Sequence, residues 1–211
     1  MTCTHEMYGL RVRSESKSIM TIEFLEDVHT YVCDGVIIPS VSDLIRFKFP
    51  EAYKGIPEKV LKNKATYGTK VHRTIEEFVS GTPMSEIQKR NIDPNVKIAV
   101  EQFETLRKKW AFYVKDMEQI VCYKDRYAGT YDIRTEDDYL MDIKTTSELH
   151  EEWLRWQLSL YYLAAGIKKD YGFCLWLPKG KLGKVIQINT LPEEECIRLL
   201  NDYQTANPPK K

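Results

Sequence analysis

The 211-residue chain has no apolar run approaching the ~18 to 20 residues that a membrane span requires, and its opening MTCTHEMYGLRVRSESK lacks the apolar stretch of a signal peptide. A soluble, intracellular, cytoplasmic protein with no membrane association is therefore expected. Paired cysteines are lacking as well. The five present (Cys3, Cys33, Cys122, Cys174, Cys196) are odd in number, and the nearest two are 22 residues apart. That spacing suggests neither a disulfide framework nor a C-x-x-C zinc or redox site, and buried free thiols are the expectation. Net charge is missing too: 31 Lys plus Arg balance 31 Asp plus Glu. The balance excludes a uniformly basic nucleic-acid binder but leaves room for a local patch.

Core-forming residues are plentiful. Hydrophobic residues make up 43% of the chain, with 13 Tyr, 7 Phe and 4 Trp, enough for one substantial α/β (α+β) domain. The segment TIEFLEDVHTYVCDGVIIPSV alternates and turns at Leu25-Glu26-Asp27 and at Cys33-Asp34-Gly35, which predicts an N-terminal β-meander over 19–39. Ser40 or Ser42 can cap a short helix, SDLIRFKF, that stops before Pro50. Apolar spacing predicts one or two helices over 57–79, with Gly68 as a break, and another over 94–114.

The period then changes to that of strands: MEQIVCYKD, GTYDIRT and YLMDIKT, followed by a helix over 151–166 and the strand YGFCLWLP. A last strand and helix fall within 184–203, and the tail from Pro208 is expected to fray. The whole is a single domain over 1–211.

Two of these strands carry the first chemical signal. A three-residue loop, Glu136-Asp137-Asp138, makes opposed residues sum to 274 and sets Asp132 across from Asp142, with Cβ atoms ~4.5 to 5.5 Å apart. Like charges so placed need a cation between them, and a hard divalent metal supplies it. Lys144 follows Asp142 by two and shares its face, while Tyr131, Ile133, Met141 and Ile143 turn to the apolar side. Two carboxylates and a lysine suit phosphodiester hydrolysis: Mg²⁺ or Mn²⁺ lowers the pKa of a bound water and the lysine orients it. An isolated D-x-K is usually only a solvated hairpin, so the neighbouring features carry the weight.

One of these is YGTKVHRTIEEF, which sets His72 and Glu76 four apart on a helix face, where the imidazole can complete a metal site or be a buried hydrogen-bonding residue. Gly68-Thr69 before it permits close approach of another backbone or is simply a turn and cap. Another is EEWLRWQLSLYYLAA, which sets Gln157 and Tyr161 four apart.

In this order, GTKVHRTIEEF, Glu118 with AGTYDI, MDIKTT and QLSLYYLAA resemble the PD-(D/E)xK nuclease superfamily, most closely its RecB-like and phage recombination exonuclease branches. The resemblance covers about residues 65–178 and implies a restriction-endonuclease-like αβββαβ core with a mixed sheet between helices. It implies that His72, Asp132 and Asp142 are metal ligands, that Ile143 lends its backbone carbonyl, and that Lys144 is catalytic beside Asp132 and Asp142. It places Gln157 and Tyr161 near the DNA backbone, with Glu76 and Glu118 as supporting residues. HTYVCDGVIIPSVSDLI looks like the start of phage-type members. Some relatives hold an iron-sulfur cluster on four cysteines, three of them near the C-terminus; here only Cys174 and Cys196 stand there, so no cluster is expected.

Local charge reconciles a neutral chain with a DNA partner. From Arg46 to Arg73 there are eight basic residues (Arg46, Lys48, Lys54, Lys59, Lys62, Lys64, Lys70, Arg73) against two acidic, a balance of +6. From Glu136 to Glu152 there are seven acidic residues and one basic, a balance of −6. The basic segment is expected to line the DNA entrance, with Lys62, Lys64, Lys70 and Arg73 on phosphates. The acidic one is expected to surround the metal and face away from the strand. The leading expectation is thus a Mg²⁺- or Mn²⁺-dependent exonuclease on double-stranded DNA ends in phage-type recombination or repair, with a homo-oligomer or a recombination partner protein allowed for. A structure-specific or restriction-type endonuclease and a catalytically inert DNA-binding module are the alternatives.

Overall fold

The computed structural model describes residues 21–25, 28–51, 54–55 and 57–208; the turn expected at Leu25-Glu26-Asp27 and most of the C-terminal tail lie outside them. Strands β1 (Ile22–Leu25), β2 (Thr30–Cys33) and β3 (Val36–Ile38) form a small antiparallel sheet. Asp34 and Gly35 join β2 to β3 with φ of 46° and 81°, the left-handed pair that a two-residue hairpin of matching twist requires. Helix α1 (Val41–Lys48) starts at Ser40, not Ser42. Asp43 N–H donates to Ser40 Oγ (3.0 Å) and Ser40 N–H to Asp43 Oδ2 (2.9 Å), a reciprocal cap.

Helix α2 (Glu58–Val79) runs unbroken through Gly68. The expected break fails because one glycine costs only about 1 kcal/mol, and Val71, Thr74 and Ile75 bury the following turn. Thr69 therefore caps nothing, and its hydroxyl donates to the Ala65 carbonyl within the helix. A six-residue helix that the spacing does not announce, α3 (Met84–Lys89), buries Ile87. Helix α4 (Pro94–Trp110) ends four residues earlier than expected, because Ala111 turns left-handed (φ 49°) and β4 (Val114–Tyr123) begins.

Then follow β5 (Tyr127–Thr135), β6 (Leu140–Lys144), α5 (Glu151–Ala165), β7 (Tyr171–Trp176), β8 (Lys184–Asn189) and α6 (Glu193–Ala206). The five strands pair in sequence order, all antiparallel except β6 with β7, whose parallel pairing is the one that needs the α5 crossover. The fold is thus α+β: a five-stranded mixed sheet between helices, beside a separate three-stranded antiparallel sheet. The order α4, β4–β6, α5, β7 reproduces the αβββαβ succession expected from the sequence.

Alternate residues of β6 serve opposite faces. Leu140 joins an apolar cluster with Leu158 and Leu160 of α5 and Cys174 of β7, whereas Met141 and Ile143 join Val71 and Ile75 of α2 and Phe103 of α4. Ile133 packs with the second set as expected; Tyr131 does not, falling in the first cluster with its hydroxyl donating to Asp116 (2.6 Å). Because the central strand is covered on both sides, Asp142 is only 2% exposed. Cys33, Cys174 and Cys196 are buried thiols, and Cys122 is half-buried.

Candidate active site

The β5–β6 hairpin has the register read from the sequence. Ile133 pairs with Met141 and Arg134 with Leu140, and the loop Glu136-Asp137-Asp138 closes with Asp138 left-handed at φ 61°. The next pair along this register is Asp132 with Asp142. There the Asp132 carboxylate takes over from the backbone, and Ile143 N–H donates to its Oδ2 at 2.6 Å. The carboxylate is thereby fixed beside the Ile143 peptide.

Three elements converge on this point. His72, in the middle of α2 rather than at a helix start, faces the hairpin with Nε2 3.1 Å from the Ile143 carbonyl oxygen. Its Nδ1 is 3.4 Å from Glu118 Oε1 and 3.5 Å from Asp132 Oδ1. On β4, Met117 pairs with Ile133 and Gln119 with Tyr131, which leaves Glu118 across from Asp132 with a φ of 49°. A non-glycine residue held there in a strand is strained, and such strain concentrates at functional positions.

His72, Glu118 and Asp132 present donor atoms within 4.8 Å of one another. Glu118, read from the sequence only as a supporting residue, is therefore inside the cluster, while Asp142 stands beside it on Lys144. The Lys144 ammonium is 2.6 Å from Asp142 Oδ2, off the angle of a hydrogen bond, and donates to Gln157 Oε1 at 3.1 Å. Gln157 in turn donates to the Tyr161 hydroxyl (3.3 Å). Sequence reasoning set Gln157 and Tyr161 near the DNA backbone. The structure brings both to the same groove but gives Gln157 a second task, holding the lysine.

Electrostatics follow from burial. Desolvation alone would depress the His72 imidazole, yet the Asp132 and Glu118 carboxylates outweigh it and carry it up to about 9. Desolvation raises Asp142 to about 6 against the pull of Lys144, and it raises Asp132 as well. Lys144, half-buried and partly desolvated, is held above its ordinary value by Asp142 and Asp132 and stays charged.

These residues suit a hard divalent cation. Glu118 Oε1 and Asp142 Oδ2 are buried oxygens without an aligned hydrogen bond, and carboxylates with a backbone carbonyl are the donors that Mg²⁺ or Mn²⁺ accepts. Glu76, one helical turn beyond His72, lines the groove without joining the close set.

The groove over the site encloses about 1980 Å³. Lys62, Lys64 and Arg73 line it as expected; Lys70 does not. The acidic segment lies away from the groove as expected but does not surround the metal donors. Of its seven carboxylates only Asp142 reaches the groove, because Asp138 is held at the hairpin tip by Lys115 and Arg134, and Glu151 and Glu152 open the first turn of α5. The site also includes residues that sequence patterning did not single out. Phe24, His29 and Tyr31 of the small sheet line the same groove, and Gly129 brings it close to α5, since a Cβ there would lie 2.7 Å from Tyr161 Cε1. No local pattern marks the three aromatics; the glycine's place within AGTYDI is the only signal for the other.

No family model and no curated protein matches the chain. Among solved structures it is similar to the crystal structure of SSO0001, at 16% identity and a TM-score of 0.48, over 81% of this chain and 76% of that one. Function therefore rests on the chemistry of the site itself.

Proposed function

We propose that the protein is a divalent-metal-dependent deoxyribonuclease of the PD-(D/E)xK type, an exonuclease that hydrolyses phosphodiester bonds at DNA ends. The observation that carries this is the convergence of Asp132, Asp142, Lys144, His72, Glu118 and the Ile143 carbonyl at the floor of one basic-lined groove. The placement in phage-type recombination or repair rests on the sequence resemblance.

Asp132, Asp142, Glu118 and the Ile143 carbonyl would hold the cation, with His72 beside them. When bound, Mg²⁺ or Mn²⁺ supplies Lewis acidity toward the phosphate and makes a water a better nucleophile at neutral pH. The chain supplies the rest. Lys144, kept charged by Asp142 and aimed by Gln157, orients the attacking water and offsets the negative charge that grows on the phosphorane. His72 fixes the Ile143 carbonyl, and the Ile143 N–H fixes Asp132, so the donor oxygens are set before substrate arrives.

The test is digestion of linear and covalently closed circular DNA with Mg²⁺ or Mn²⁺. Linear DNA is degraded and closed circles are spared; opened circles would make the protein an endonuclease. Asp142→Ala and Lys144→Ala each lose at least about a hundred-fold in rate. Absence of cutting by the unaltered protein, or variants that cut equally well, would leave an inert DNA-binding module.

A further inference from the structure

The groove is lined by two chemically different sets of side chains on separate elements. Helix α2 contributes Lys62, Lys64 and Arg73, all exposed. The small sheet contributes aromatic rings. Phe24 on β1 meets His29 edge-on, with ring centroids 5.1 Å apart at 85°, and lies at 4.7 Å and 31° to Tyr31 on β2. Ile120 of β4, 41% exposed, adds apolar surface to the same groove. Four cations in the lining are already engaged: Arg46 by Asp43, Arg73 by Glu77, Lys144 by Asp142 and Lys179 by Asp93. The unengaged lysine charge is thus on α2. His29 is exposed, with a left-handed φ of 49°. Hydrolysis as described above uses none of these rings.

A duplex presents phosphates along both of its edges and hides the faces of its bases in the stack. An unpaired strand presents phosphates on one side and bare π-faces on the other. Cationic side chains hold a backbone whatever its sequence, and aromatic side chains hold bases whatever their identity. A groove that is cationic on one element and aromatic on another matches the unpaired strand.

We propose that the strand to be cut enters this groove unpaired, with its phosphates along α2 and one or more bases stacked on Phe24 and His29. The proposal rests on the nuclease reading for its consequence, the choice of strand, but not for the binding itself.

Binding is measured with the full chain in EDTA, where no cutting occurs, by fluorescence anisotropy of labelled oligonucleotides. The probes are a single strand, the same strand with abasic residues at its terminal positions, and a blunt duplex. The normal single strand binds more tightly than the blunt duplex. Removing bases while keeping phosphates weakens binding between about 5- and 150-fold, the range of one stacked base. Phe24→Leu keeps apolar volume against Tyr31, and His29→Asn suits a left-handed backbone. Both variants weaken binding of the normal strand and leave the abasic strand unchanged. Equal affinity for normal and abasic strands, a blunt duplex bound as tightly as the single strand, or variants that bind like the parent each overturn the assignment. A protein that shows base-dependent binding but cuts nothing with Mg²⁺ retains the stacking site and loses the nuclease reading; one that cuts but ignores abasic substitution does the reverse.

Discussion

Asp142 has nearly all of its carboxylate removed from water and one cation, Lys144, in contact. Such a pair is costly to bury, and what it provides here is position: Asp142 and Gln157 together determine where the ammonium sits. Gln157→Ala should leave Lys144 charged but poorly aimed, so kcat falls at least about ten-fold with KM little changed; a change confined to KM would instead make Gln157 a DNA contact. Two raised pKa values set a pH dependence. His72, carried to about 9, contributes stability that is complete below its unfolded value of ~6.5 and is lost as pH rises toward 9. Asp142, raised to about 6, subtracts stability as pH rises from ~4 to 6. Without metal, both groups favour the acidic side. A cation is held by an ionised Asp142 and repelled by a charged His72 imidazolium, so the rise in Tm on adding Mg²⁺ should be larger at about pH 8.5 than at about pH 5.5. An equal rise at both would place the cation elsewhere.

Among the elements, β5, β6 and α2 set the site, and two glycines in or beside it behave oppositely. Gly129 of β5 lies under Tyr161 and Val41, where a Cβ would approach to 2.7 and 2.8 Å. Gly129→Ala should cost about 1–3 kcal/mol, read by chemical denaturation. At Gly68 a Cβ would meet only Thr145 Oγ1 at 3.4 Å, ordinary contact, within a helix. Gly68→Ala should therefore stabilise by about 0.5–1 kcal/mol. This difference was not legible in the sequence: both glycines sit beside motif residues, and only the packing partner of each decides. The hairpin register was legible, because strand alternation and the three-residue loop admit one pairing that keeps Ile133 and Met141 inside.

Over the whole molecule, the zero net charge conceals a divided distribution. Lys62 and Lys64 stand over the groove, while Asp138 and the acids of α5 lie away from it. Lys62→Glu with Lys64→Glu should weaken DNA binding and flatten its salt dependence by about two phosphate contacts, with Mg²⁺ affinity unchanged. Unaltered binding at low salt would remove these residues from the DNA path. Among the described residues no helix is long and apolar enough to cross a membrane.

What the sequence by itself determined are the features governed by short-range physics: the Asp34-Gly35 hairpin, a serine cap at the start of the first helix, the run of three strands, helix and strand, and the facing of Asp132 and Asp142. Each follows from backbone sterics or from alternation within a few residues. The tertiary structure alone decided that Glu118 joins His72 and Asp132, that Gln157 holds Lys144, and that the rings of Phe24 and His29 lie along the same groove as the lysines of α2. Those meetings depend on how α2, α5 and the small sheet pack on the central sheet. Packing is a sum over many contacts distant in the chain, and no local pattern records it.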